Sequence, residues 1–472
     1  MVKVIIPIIL LLFIIFCKKL PYIGGKINCA LFAAGAAALL LAGKFNIGDW
    51  AVSWVDGLNR LSWIIALSIL GSLFAEISNR LGTVDTIIGA LTAKFRTHPK
   101  LLILSILATL TLAGSLLGDA IAASTVVGMI TMGVLASMNL SGEIICAIIV
   151  MGASIGSIMP PITQALALSS SLVSADADAV LRIGYVTVGL TFVIVCIYCV
   201  TFLVRKHNVA GANPDVKIKY ADKKAGEILR SNWKSLIPLV CLIIIVLLRT
   251  VKIPGVSVDL GPTILKAVNF IKVGDTSVNL YEFLSGVSIL SGFTNGIVLS
   301  LMLASAIAFL FPAVNCDAKG VFRDSFSKVK GTVVLQICCA FMIGSFYSSG
   351  AVDAVSAFAT GLNSNLLILG GTVAMILMGM LTGSQSTAQN VVFSFFGPAL
   401  VASGISTTYA AVAGAHLAAA GQGMPPADLT TFVVAGLISA QFGKKVDPVK
   451  SMLYALPMCI CFAAIGLIFL YI

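Results

Sequence analysis

Two stretches of this chain each pair a glycine-polar turn with a proline-proline break. Gly118-Asp119-Ala120 precedes Gly156-Ser157-Ile158-Met159-Pro160-Pro161, and Gly383-Ser384-Gln385-Ser386-Thr387 precedes Gly421-Gln422-Gly423-Met424-Pro425-Pro426. Gly118 to Pro160 is 42 positions, and so is Gly383 to Pro425. Proline has no amide hydrogen and its ring clashes with the preceding turn, so two in succession stop a helix and leave carbonyls without partners. Freed carbonyls at a helix C-terminal end suit a cation, and the free amides that open the next half-helix suit a carboxylate. Paired cation and anion binding is the chemistry to expect, with Gly118, Asp119 and Ala120 meeting Gly156, Met159 and Pro160.

Asp119 has two readings. It caps the helix that Ala-Ile-Ala-Ala begins, or it holds an ion or a proton at mid-membrane. In the second stretch, Ser384, Gln385, Ser386 and Thr387 are followed by Gln389 and Asn390, and Ser124 and Thr125 are the polar positions in the matching part of the first. Such hydroxyls and amides bind a substrate's carboxylate without burying a full charge, or else they bridge helices. Asp428, with Thr430 and Thr431, opens the half-helix after the second break, where it complements the helix dipole or couples to an ion. His416 reads as a packed, neutral histidine and Glu143 as a helix-start residue. His98, His207 and His416 are the only histidines, so there is no metalloprotease spacing, and no Gly-x-x-x-x-Gly-Lys-Ser/Thr loop exists to bind ATP. An enzyme, a resident metal and a cofactor are not expected.

These turns and breaks need a membrane-embedded helical frame. The 472 residues are 59% hydrophobic and 10% charged with mean hydropathy +1.06, against roughly 25% charged in soluble domains. Apolar runs long enough to cross the hydrocarbon layer occur around 101–117, 183–204, 235–249, 295–313 and 451–472, in a set of about ten spans with shorter re-entrant pieces. Val4 to Cys17 reads as a retained first span. The net charge of +11 sits in connectors, which points to membrane orientation and not to nucleic acid. The eleven cysteines lie almost all in apolar runs and read as packed residues without disulfides. A basic connector, residues 205–234, is expected in the cytoplasm between an N-terminal half (1–204) and a C-terminal half (235–472). Upstream of the turns, Gly82-Thr-Val84-Asp85 matches Gly350-Ala-Val352-Asp353, and Leu101-Leu-Ile-Leu104 matches Leu366-Leu-Ile-Leu369. Four anchors in one order indicate an internal duplication. The fold expected is an all-α polytopic membrane protein with two repeats, each holding a re-entrant helical hairpin and a broken helix.

The run Gly118-Asp-Ala-Ile-Ala-Ala-Ser-Thr-Val-Val-Gly128 resembles the hairpin motif Ser-Gly-Ser-Ser-x-Ala of the large membrane subunit of tripartite ATP-independent periplasmic (TRAP) transporters, the DctM-like permeases. Ser154-Ile-Gly-Ser-Ile-Met-Pro-Pro-Ile162 resembles that family's Gly-x-Leu-Ile-Pro-Pro-Ser break, and Gly421 to Pro426 resembles its Gly-Leu-Leu-Thr-Pro-Pro motif. The match covers most of the chain from about residue 60. The resemblance implies an elevator of the ion transporter superfamily with inverted repeats, driving carboxylate uptake with sodium across the bacterial inner membrane. It maps sodium sites onto Leu117, Ala120, Gly156, Met159 and Pro160, and onto Gly383, Gly421 and Met424. Leu117 and Ala120 stand where the family has serine, Met424 where it has threonine, and Asp119 where it has serine. That exchange supplies a full carboxylate and sets proton coupling beside sodium coupling. The family also implies a separate small membrane subunit and a periplasmic substrate-binding protein as partners. Two alternatives stand beside it: a stand-alone carboxylate carrier or cation/proton antiporter of the same superfamily, and a non-transporting membrane scaffold.

Overall fold

Apolar runs with polar caps set the helices. The computed structural model describes residues 2–17, 19–95, 98–138, 140–203, 223–250, 260–267, 271–273, 276–360, 363–426, 428–442 and 445–472. The first half holds α1 (Val2–Phe16), α2 (Ile27–Leu41), α3 (Ile47–Arg80), α4 (Thr83–Phe95), α5 (Pro99–Leu117), α6 (Ala120–Ser137), α7 (Gly142–Ile158), α8 (Gln164–Leu172) and α9 (Ala177–Tyr198). The second holds α10 (Ala225–Thr250), α11 (Gly296–Ala308), α12 (Ala318–Ser348), α13 (Ala351–Thr360), α14 (Ser364–Thr382), α15 (Gln385–Ala388), α16 (Ser394–Ala402), α17 (Thr407–Gly423), α18 (Leu429–Phe442) and α19 (Pro448–Tyr471). A π turn, Gln389–Phe393, joins α15 to α16. Between α10 and α12 lies a two-stranded antiparallel hairpin, Ile271–Val273 with Thr276–Val278.

Among the described residues, α3, α5, α9, α10, α12, α14 and α19 are long and apolar enough to cross a membrane, while α1, α2, α7, α11 and α18 are shorter apolar helices. The difference from ten spans has a local cause: the breaks stop α7 and α17 inside the protein. The run at 295–313 also ends early, at Ala308, because Pro312 takes the first position of a new short helix. The expected basic connector falls mostly on residues 205–222, outside the described residues, and its last ten positions form the start of α10. Leu366, Leu369, Val373, Leu377 and Leu381 on α14 are exposed at helical spacing, as are Val186, Leu190, Val193 and Ile197 on α9. Such outward apolar stripes are the faces a bilayer covers.

The helix α3 opens the first repeat's turn-bearing segment and α12 opens the second's, and the two run antiparallel. Ser53 near the start of α3 bonds Ser348 at the end of α12 through their hydroxyls at 2.8 Å. In the middle, Gln336 donates to the Ser68 hydroxyl (2.8 Å). Toward the end of α3, Ser72 donates to the Ser325 carbonyl (2.9 Å) and Arg80 reaches Asp317 and Asp324. Gly57 faces the Ala340 carbonyl and Gly344 faces that of Ser53, so the backbones touch where they cross. Equivalent helices of opposite direction make the repeats inverted.

The duplication also extends further back than the sequence anchors. The α1–α2 hairpin packs α2 on α12 and α1 on α13, while α11 packs on α3 and α10 on α4. Each half thus lays its first two helices on the entry and connector helices of the other. In one such contact Thr83 donates to the Ser235 carbonyl (2.6 Å); in another, Phe32 stacks on Phe341 at 4.3 Å.

Candidate functional site

Both turns have the same construction. Gly118 (φ +63°) and Gly383 (φ +62°) sit in the left-handed region that side chains avoid. Each donates its amide to the glycine carbonyl four residues back, Gly114 and Gly379, at 2.7 Å. The next residue is extended and caps the following helix: the Asp119 carboxylate accepts from the Ala122 amide (2.7 Å), and the Ser384 hydroxyl accepts from the Thr387 amide (3.3 Å). Both Pro160-Pro161 and Pro425-Pro426 are cis.

Turn and break meet through glycine pairs. A Cβ at Gly156 would lie 2.5 Å from the Thr111 carbonyl oxygen, and one at Gly421 would lie 2.5 Å from that of Ile376. Gly114 and Gly379 press equally closely on Gly156 and Gly421. Ser115 donates to the Pro160 carbonyl (2.8 Å), and Gly118 stands beside the Ile162 carbonyl. Gly114 to Gly118 therefore lie along the first break, with Met159 half-buried at the end of α7 and Ala120 buried at the start of α6. After each break an acceptor opens the next helix. Thr163 accepts from the Leu166 amide; Asp428, fully buried, accepts from the Thr430 and Thr431 amides (both 3.1 Å) and from the Thr431 hydroxyl (2.5 Å). Asp428 is thus engaged as a cap.

Two of the polar residues of the second turn, Gln385 and Gln389, bond across the halves, while the others bond within the second half. Gln385 donates its backbone amide to Gln422 (3.0 Å) and its side-chain amide to Ser157 (3.4 Å). Gln389 donates to the Ala165 carbonyl and the Ser169 hydroxyl, both at 2.7 Å. Asn390 is buried and accepts from Cys339, and Thr387 is buried against Ser384. Ser386 is half-buried, as is Met424. In the first half the Ser124 hydroxyl is buried and turned back to the Ile121 carbonyl. His416 is buried, with Nδ1 2.8 Å from the Val412 carbonyl and its ring edge-on to Phe462. Glu143 lies in the first turn of α7, whose Ser141 makes no side-chain cap.

Asp119 and Thr125, whose hydroxyl also turns back to the Ile121 carbonyl (2.7 Å), line a half-open cavity of about 420 Å3 between the α3/α12 pair and the α5–α6 hairpin. The Asp119 side chain is exposed there even though it lies within the helical body. Ser72 and Asn79 of α3, Gln164 after the first break, and Lys328 of α12 also line it. Lys328 donates to the buried Glu76 (2.6 Å), which also accepts from Arg80 (2.9 Å), and Arg80 continues to Asp317 (2.5 Å) and Asp324 (2.8 Å). This network ties the end of α3 to the start of α12. Sequence reasoning found Asp119 and Thr125 and missed Lys328, Gln164 and Asn79, which carry no turn or break signal.

Residues 7–204 match the Na+/H+ antiporter family. Among solved structures, the YdaH transporter of Alcanivorax borkumensis, described as having an unusual topology, is similar over 92% of this chain and 88% of that one, at 15% identity and a TM-score of 0.58. Among curated proteins, none matches the chain.

Proposed function

We propose that this chain is a secondary transporter that exchanges cations for protons across the membrane, with Asp119 as the group that holds either one. Asp119 carries the reading. It is a carboxylate at the tip of the α5–α6 hairpin, open to a cavity in which the other lining charge, Lys328, is already paired with Glu76. A carboxylate in that position is neutralised either by a metal cation or by a proton, and two ligands that compete for one group are exchanged and not carried together. The break carbonyls beside Gly118, with Ala120, Met159 and Pro160 close by, are the remaining candidate ligands for sodium. In the second half Gly383, Gly421 and Met424 form the corresponding set. The match of residues 7–204 to Na+/H+ antiporters supports the same chemistry. Movement of the hairpin and broken helices against the α3/α12 pair would open the cavity to alternate sides, as an elevator does.

The test is a proton flux driven by a sodium gradient in proteoliposomes of the full chain. Wild type is expected to acidify or alkalinise the lumen according to the direction of the gradient, and Asp119→Asn to abolish the response. A wild-type chain that moves no protons under a sodium gradient, and gains no thermal stability in sodium over potassium at equal ionic strength, would overturn the reading.

A second reading is a sodium- or proton-driven carboxylate permease of the TRAP type, working in the bacterial inner membrane with a small membrane subunit and a periplasmic binding protein. The Lys328 ammonium in the cavity favours it. It requires co-purifying partners and partner-dependent uptake of a labelled dicarboxylate such as succinate.

A further inference from the structure

The cavity beside Asp119 is larger and less polar than a sodium ion or a proton needs. At about 420 Å3 it falls in the range of about 300–1,000 Å3 typical of small-molecule pockets. Its α5–α6 wall presents Ala113, Leu116, Leu117, Ile121 and Val127. Two charges of opposite sign line the same space, the Asp119 carboxylate on the hairpin and the Lys328 ammonium on α12. Lys328 has three N–H donors and Glu76 takes one of them at 2.6 Å, which leaves two for a ligand. Asp119 uses its carboxylate to cap α6 and still has acceptor capacity toward the cavity.

We propose that this cavity binds a small zwitterion with an apolar body, of the amino acid class. Its ammonium sits on Asp119, its carboxylate on Lys328, and its hydrocarbon portion lies against the α5–α6 wall. The proposal rests on the exchange reading above, since the ammonium occupies the position that sodium or a proton otherwise takes. Binding of the zwitterion and of sodium is therefore competitive. A ligand carrying one charge only forgoes the hydrogen bonds to one of these two groups and binds more weakly.

Four probes separate these terms: L-leucine, 6-aminohexanoate, 3-methylbutylamine and 4-methylpentanoate. Binding is read by thermal shift of the purified full chain and by slowing of sodium-driven proton flux in proteoliposomes. At least one of the two zwitterions is expected to bind about tenfold or more tightly than both singly charged analogues. Lys328→Gln is expected to remove that advantage and leave amine binding within about twofold of wild type. Lys328→Arg, which keeps a cation on Glu76, is expected to retain the advantage and so controls for folding. Zwitterions that neither stabilise the chain nor slow the flux would overturn the inference while leaving sodium-proton exchange intact. Equal binding of amine and zwitterion, or equal weakening of both by Lys328→Gln, would also overturn it. Zwitterion stabilisation through Asp119 in a chain without sodium-driven flux would sink the exchange reading and keep the site.

Discussion

At the scale of single residues, the asymmetry that matters is Asp119 against Ser384. Both follow a left-handed glycine and both cap the next helix, so the cap does not explain why one of them is charged. Asp119→Ser copies the second turn into the first. It is expected to keep stability within about 1 kcal/mol, since serine and aspartate cap comparably, and to lose the sodium-dependent rise in melting temperature. A retained rise would move the cation elsewhere. The Glu76 network gives two further expectations. Glu76→Gln leaves Lys328 with a neutral partner, while Arg80 keeps Asp317 and Asp324, and is expected to cost about 1–3 kcal/mol, read as a lower melting temperature in detergent. Asp317, outside the span of α12, accepts from Arg80, and that guanidinium holds its carboxyl below the usual carboxylate range. A depressed pKa contributes stability above its unfolded value of about 3.9, and this is lost as pH falls through the folded value. Asp317→Asn is therefore expected to lower stability near neutral pH and to flatten the acid limb of a melting-temperature profile. Asp119 was legible in the sequence because a Gly-Asp before Ala-Ile-Ala-Ala is unusual in an apolar run. Lys328 was not, because it lies among other charges between Asp317 and Lys330 and reads as part of a solvated connector. Only the pairing of α12 with α3, some 250 positions away, brings it to Glu76 and the cavity.

At the scale of elements, the turn and its break act as one unit because glycines let backbones touch. Gly156→Ala drives a methyl into the Thr111 carbonyl at 2.5 Å and must push α5 from α7. Gly133→Ala on α6 meets nothing within 4 Å, and removing a helical glycine there is favourable by roughly 0.5–1 kcal/mol. The expected result is a large drop in melting temperature and loss of the sodium response for Gly156→Ala, with a neutral or raised melting temperature for Gly133→Ala. Equal behaviour of the two variants would mean that the close approach does not hold the site. These units were legible as paired motifs with a common spacing, since proline and glycine act through local backbone chemistry. Helix ends away from them were less so: the run at 295–313 is apolar throughout, and only Phe311-Pro312 divides it. The bonding of Gln385 and Gln389 to Ser157, Ala165 and Ser169 was not legible at all, because it joins residues more than 200 positions apart.

At the scale of the molecule, two inverted repeats exchange their leading helices, so α3 and α12 sit between elements contributed by both halves. The internal duplication was legible from Gly82 onward. Its first two helices were not, because α1–α2 and α10–α11 share no anchor in sequence and correspond only through what they pack against. This arrangement makes α3 and α12 the natural fixed body: they cross backbone to backbone at Gly57 and Gly344, are bonded near one end by Ser53 and Ser348, and are tied at the other by the Arg80 network. If they stay together while the hairpins and broken helices move, a covalent link between them should not stop transport. Ser53→Cys with Ser348→Cys tests this in a chain whose eleven native cysteines are replaced. The two hydroxyls are 2.8 Å apart, within reach of a disulfide whose sulfurs lie about 2.05 Å apart. Oxidation is expected to join the positions in high yield with sodium-driven proton flux preserved. Flux that stops on oxidation and returns on reduction would show that α3 and α12 slide past one another during the cycle, and would place the moving boundary inside the pair instead of at the cavity.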